Sequence, residues 1–171
     1  MGHDQHAGSG MFQDLAQIGV VVEDLDKAMA GLSEIFGIGP FSVLEDDADS
    51  QKVHRGKPGN FAARKAFVQV GPIELELIQP LRGDCIWGDF LRERGEGIHH
   101  IRFNVSSVEP VIEFMEGQGI EVSQIGSGLR PGTRWVNFDT DDRVGFTVEI
   151  MNALPGSGGR TPRIVDGKVQ V

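Results

Sequence analysis

Leu15-Ala16-Gln17-Ile18-Gly19-Val20-Val21-Val22 is an apolar strand that runs into Glu23-Asp24-Leu25-Asp26. The same plan returns at Ile98-His99-His100-Ile101-Arg102-Phe103-Asn104-Val105, which runs into Ser106-Ser107. With Gln17 set against His100, the two units stay in step without a gap through the helix that follows each. A repeat of this kind governs the architecture. In the first unit Asp24 and Asp26 suit an N-cap and first helical turn. Leu25, Ala28, Met29, Leu32, Ile35 and Phe36 recur at helical spacing and predict a buried stripe. Gly37 and Gly39 stop that helix. In the second unit Ser106 and Ser107 are the expected caps. Val108, Val111, Ile112 and Met115 form the stripe, and Gly117 and Gly119 the stop.

Three strand-like segments follow each helix: 41–44, 63–70 and 73–78 in the first half, 121–125, 133–138 and 146–151 in the second. Gly71-Pro72 and Asp141-Asp142-Arg143 are the matching turns. Each half reads β-α-β-β-β, an α+β chain of paired βαβββ modules. The division expected is a disordered tail or cloning remnant over 1–11, a first module over 12–82, a linker with a short helix over 83–96, a second module over 97–152 and a tail over 153–171. Residues 45–60 read as a long loop, and the tail offers one further strand at Ile164-Val165.

Of 171 residues, 39% are hydrophobic and 24% charged, the balance of a soluble globular protein. The formal net charge of −9 disfavours nucleic acid, whose phosphates need clustered Lys and Arg. No apolar run approaches the roughly 20 residues of a bilayer span, so no membrane partner is expected. The polar, Gly-rich first ten residues are unlike a signal peptide. The lone Cys85 can form no intrachain disulfide, which fits a cytoplasmic location, and it reads as inert.

The repeat offers two polar positions per half on strands that should be buried. The first strands supply Gln17 and His100, and the last strands supply Glu76 and Glu149. A lone buried carboxylate is costly, and a divalent cation relieves that cost. A polar cluster without metal is the competing reading. By strand alternation Arg102 and Asn104 share the face of His100, while His99 and Glu74 are expected to point away from it. Trp135 and His54 are further candidates for lining a pocket.

The segments 18–28, 74–81 and Gly95-Glu96-Gly97-Ile98-His99-His100-Ile101 resemble the glyoxalase and methylmalonyl-CoA epimerase branch of the vicinal oxygen chelate superfamily. The resemblance spans 12–152. It implies the glyoxalase/bleomycin-resistance fold, a curved mixed sheet around a cleft. It also implies a homodimer and one divalent ion per site (Zn, Co, Ni or Mn) held by Gln17, Glu76, His100 and Glu149. Epimerase-like members carry His at the first of these positions. The set Gln, Glu, His, Glu is instead similar to that of glyoxalase I, but Val21 and Pro80 stand where that enzyme has Arg and Asn for glutathione.

The activity so implied is that of an isomerase or lyase of a small carbonyl or acyl-thioester substrate. Glu149 would be the base and Glu76 a second catalytic carboxylate and steadier ligand. Arg102, Asn104, Trp135 and His54 would contact substrate. A non-catalytic small-molecule binding protein of the resistance type is the alternative. An extradiol dioxygenase is the third, disfavoured because Gln17 replaces one of its two His ligands.

Overall fold

The computed structural model describes residues 10–12, 14–46, 52–129 and 131–152, and the backbone of two short strands beyond them. The order is β1 (Asp14–Val21), α1 (Leu25–Phe36), β2 (Ser42–Asp46), β3 (Lys52–His54), β4 (Lys57–Pro58), β5 (Ala62–Val70), β6 (Ile73–Arg82), α2 (Ile86–Arg94), β7 (Gly97–Val105), α3 (Glu109–Gly117), β8 (Val122–Ser127), β9 (Arg134–Phe138), α4 (Asp141–Val144) and β10 (Thr147–Asn152). Residues 1–9 of the expected 1–11 tail and most of the expected C-terminal tail lie outside the described residues. Ile164-Val165 falls in β11 (Arg163–Val165), which pairs with β12 (Lys168–Gln170) as a separate ribbon instead of joining the main sheet. Among the described residues no helix is long and apolar enough to cross a membrane.

Ten strands form one mixed sheet in the order β2-β5-β6-β1-β7-β10-β9-β8-β3-β4. The halves meet where β1 and β7 pair antiparallel. Within each half the first strand pairs parallel with the last, and the registers match. Gln17 stands opposite Glu74 as His100 stands opposite Thr147, and Gly19 opposite Glu76 as Arg102 opposite Glu149. The offset read from the sequence is therefore the offset of the fold.

The sheet curls into a half-barrel. Lys65 on β5 and Trp135 on β9 stand five strand spacings apart along the sheet, roughly 24 Å if it were flat. The Lys65 ammonium nevertheless lies 5.5 Å from the Trp135 ring. The expected long loop 45–60 is partly structured. Its hairpin, β3 and β4, leaves the first module and pairs with β8 at the far edge of the second. Arg55 and Gly56 make its two-residue turn with φ of 46° and 74°, the left-handed pair that matches strand twist. Arg55 holds this conformation through N–H to Ser123 O (2.8 Å) and Nη1 to Asp139 Oδ2 (2.9 Å).

The helices cover the convex side, except α2. Asp24 caps α1 by accepting from Lys27 N at 3.0 Å, and Gly37 ends it in the left-handed region. Leu25 is its one fully buried residue. Ile35 and Phe36, expected in the stripe, are instead 72% and 68% exposed at the end of the helix. The expected serine cap of α3 does not form: Val108 is the N-cap, and Ser107 Oγ donates to Glu109 Oε2. Turn 141–143 is a single helical turn, α4. Helix α2 drops into the concave side, where Ile86 and Trp87 join Val21, Phe61, Ala63, Ile78 and Trp135 in one apolar cluster. Cys85 is its N-cap, accepting from Gly88 N at 3.4 Å, a helix N-terminus the sequence did not reveal. Burial pushes its thiol pKa up, in keeping with an inert residue.

Candidate metal centre

Gln17, Glu76, His100 and Glu149 project from the four central strands into the concave side, and each is at most 4% exposed. Alternation along β1 and β7 and the parallel pairing to β6 and β10 bring them to one depth. Around His100 Nε2 lie Gln17 Oε1 at 3.2 Å, Glu76 Oε2 at 3.4 Å and Glu149 Oε2 at 3.8 Å. Gly19 makes room for this ring. A Cβ there would fall 2.0 Å from His100 Cε1.

Outer contacts orient each donor. His100 Nδ1 lies 3.2 Å from His99 Nδ1. His99 does not point away as alternation predicts. The register shift between Gly19 and Val20 on the neighbouring strand marks the irregularity here. Burial first, then the adjacent His100, hold the His99 pKa well below its ordinary value, so its ring is neutral. Asn137 Nδ2 donates to Glu149 Oε2 at 2.9 Å, and its own Oδ1 has no hydrogen-bond partner among the described residues. Gln17 Nε2 donates to Glu74 Oε1 at 2.7 Å. Glu74 therefore shares the face of Glu76 and does not oppose it, since residues two apart on a strand point the same way.

Lys65 was not legible as a site residue. It reaches from β5 with its ammonium 3.6 Å from Glu76 Oε1, 4.4 Å from the Trp87 ring and 5.5 Å from that of Trp135. Burial alone would raise the Glu76 pKa. Lys65, His100 and Arg102 outweigh it and bring that pKa to about 2. For Glu74 burial wins over Arg102 and Gln17, and the pKa rises.

The remaining sequence candidates separate. Trp135 packs in the apolar cluster with Trp87, with Nε1 donating to Ser127 O. Arg102 is buried and ion-paired to Glu74 at 3.5 Å. Asn104 donates to Asp14 Oδ2. His54 sits on β3 facing Asp89 of α2 at 3.8 Å, on the hairpin side of the cleft. Two clefts lined by described residues, of about 670 and about 70 Å³, lie near the hairpin and α2 and include none of the four donors.

Among the described residues no group of three or more His, Cys, Asp or Glu side chains is arranged to hold a metal ion. The fourth donor here is an amide, and Lys65 holds one oxygen of Glu76. The donor set itself suits a divalent ion. Ligands about 2.0–2.2 Å from one ion stand roughly 3.0–3.5 Å from each other; Gln17 Oε1 and Glu76 Oε2 lie 3.2 and 3.4 Å from His100 Nε2, and Glu149 Oε2 lies farther, at 3.8 Å. In the tautomer that carries the His100 proton on Nδ1, the Nε2 lone pair would face all three oxygens. A cation relieves that arrangement.

The description Glyoxalase/Bleomycin resistance protein/Dioxygenase superfamily belongs to the family model that matches residues 16–138. The chain belongs to this superfamily. It is 27% identical over 108 residues to the uncharacterized protein YqjC of Bacillus subtilis (strain 168), covering 63% of this chain and 69% of that protein. Methylmalonyl-CoA epimerase from Mycobacterium tuberculosis has the same fold, with a TM-score of 0.63 at 21% identity over 90% of this chain and 97% of that one. A Streptomyces coelicolor methylmalonyl-CoA epimerase variant in complex with 2-nitronate-propionyl-CoA gives a TM-score of 0.65 at 21% identity over 88% and 99%. The curled sheet is thus the superfamily fold, as the repeat and the resemblance led one to expect.

Proposed function

We propose that this superfamily member is a metal-dependent isomerase or lyase that moves a proton next to a carbonyl or thioester carbonyl. The observation that carries the reading is the convergence of Gln17, Glu76, His100 and Glu149 on one buried point. A bound divalent ion, Zn, Co, Ni or Mn, would supply Lewis acidity towards the substrate oxygen. The two carboxylates divide their work by environment. Glu76, with a pKa of about 2 beside Lys65, is a poor base and a steady ligand. At Glu149, Asn137 holds one oxygen, and the carboxylate takes the proton from the carbon next to the carbonyl and returns it. Trp87 and Trp135 wall the cleft and exclude water. A methylmalonyl-CoA complex among proteins of this fold makes acyl-thioesters the first substrates to screen, and we propose a cytoplasmic homodimer as the working form.

The test is metal content together with solvent proton exchange into 2-acyl thioesters and 2-oxo aldehydes. About one ion per chain is expected, with exchange abolished by Glu149→Gln while the fold persists. Full exchange in that variant would sink the assignment. A second reading, a non-catalytic small-molecule binding protein, is favoured by one observation: Lys65 already neutralises Glu76. Absence of bound ion after addition of Zn²⁺, Co²⁺, Ni²⁺ or Mn²⁺ would give it precedence.

A further inference from the structure

An amide is an ambiguous ligand, because its two ends differ by one atom and only the oxygen binds a cation. The surroundings of Gln17 remove the ambiguity. Gln17 is fully buried, and its Nε2 donates to Glu74 Oε1 at 2.7 Å, which leaves Oε1 aimed at the donor cluster, 3.2 Å from His100 Nε2. Glu74 Oε1 faces Arg102 Nη2 at 3.5 Å as well, so both neighbours turn N–H groups towards this one oxygen. Glu74 is 5% exposed, which shields the contact from solvent.

The two halves differ at these points. Where the first half has Gln17 opposite Glu74, the second has His100 opposite Thr147. Where the second has Arg102 opposite Glu149, the first has Gly19 opposite Glu76. Imidazole needs the space that Gly19 leaves and no carboxylate behind it. The amide needs an acceptor behind it, and Arg102 holds that acceptor in place. The repeat has diverged in pairs, ligand with support.

We infer that Glu74 is the positioning residue of the centre. With Arg102 behind it, it fixes Gln17 as an oxygen donor and so allows an amide to serve at this ligand position. This rests on the metal-centre reading above.

The experiment is a double-mutant cycle on Co²⁺ and Zn²⁺ affinity, read by isothermal titration calorimetry of the full chain, with circular dichroism to check the fold. Glu74→Gln offers a side chain of equal size that can donate as well as accept, so the amide of Gln17 is free to turn. It should weaken binding about 10–100-fold, as loss of an outer-shell partner does. In a Gln17→Ala background the same change should cost less than about 3-fold, since only the lost charge remains to be felt. Equal losses in the two backgrounds, or no loss in the first, would overturn the role of Glu74 while leaving the centre intact. Failure of the unmutated chain to bind either ion would instead overturn the metal-centre reading, and this inference with it.

Discussion

At the scale of single residues, the centre depends on one absent side chain and one unexpected charge. Gly19 is extended, and its importance is space: the His100 ring occupies the volume of a Cβ. Gly19→Ala should cost about 1–3 kcal/mol by overpacking and should displace the imidazole. Urea denaturation reads the first effect and Co²⁺ titration the second; an unchanged midpoint would contradict this packing.

Lys65 sets the response to pH. Its neighbour Glu76 has a folded pKa of about 2 against an ordinary 4.5. A depressed carboxylate stabilises the fold above its unfolded pKa, and that contribution is lost as pH falls from about 4.5 towards 2. Glu74, with its pKa raised, acts in the opposite sense. Replacing Lys65 by Met should destabilise the protein at pH 7 by about 3–5 kcal/mol, because a buried carboxylate loses its partner. The penalty should shrink towards pH 4, where Glu76 of the variant, freed of Lys65, takes up a proton. Chemical denaturation at both pH values measures this, and a penalty independent of pH would place the cost elsewhere.

At the scale of elements, α2 does more than link modules. Its polar sequence, Ile86-Trp87-Gly88-Asp89-Phe90-Leu91-Arg92-Glu93-Arg94, gives a short helix with two buried residues in its first turn. Trp87, 1% exposed, packs edge-on against Phe61 at 5.7 Å and against Trp135 at 5.8 Å, beneath the Lys65 ammonium. Trp87→Ala should cost roughly 3–5 kcal/mol, visible in urea unfolding, and should change the emission of Trp135. A loss under 1 kcal/mol would mean that α2 only covers the cleft and does not fill it. The hairpin 52–58 is the second such element. It carries Lys52 and His54 from the first module to the edge of the second, and Lys52 Nζ donates to Phe61 O at 3.0 Å.

At the scale of the whole molecule, the repeat made the architecture readable. Strand and helix periods, glycine stops and turn pairs in two registered copies define βαβββ twice, because local pattern and internal duplication agree. The buried polar cluster of Gln17, Glu76, His100 and Glu149 was legible for the same reason: a polar residue at a repeated position in an apolar strand is costly unless it has a partner. Glu74 was within reach too, since strand alternation alone puts it beside Glu76. Lys65, Asn137 and the depth of Trp87 were not. Their place depends on how far ten strands curl, and sheet curvature sums small twists over pairs of strands distant in sequence. The sequence by itself determined the modules, their offset and the residues that share a face. The tertiary structure decided which faces meet: it brought β5 over β9, set a lysine among the carboxylates and turned one amide oxygen towards His100. Contacts between segments far apart in the chain leave no periodic trace in either one.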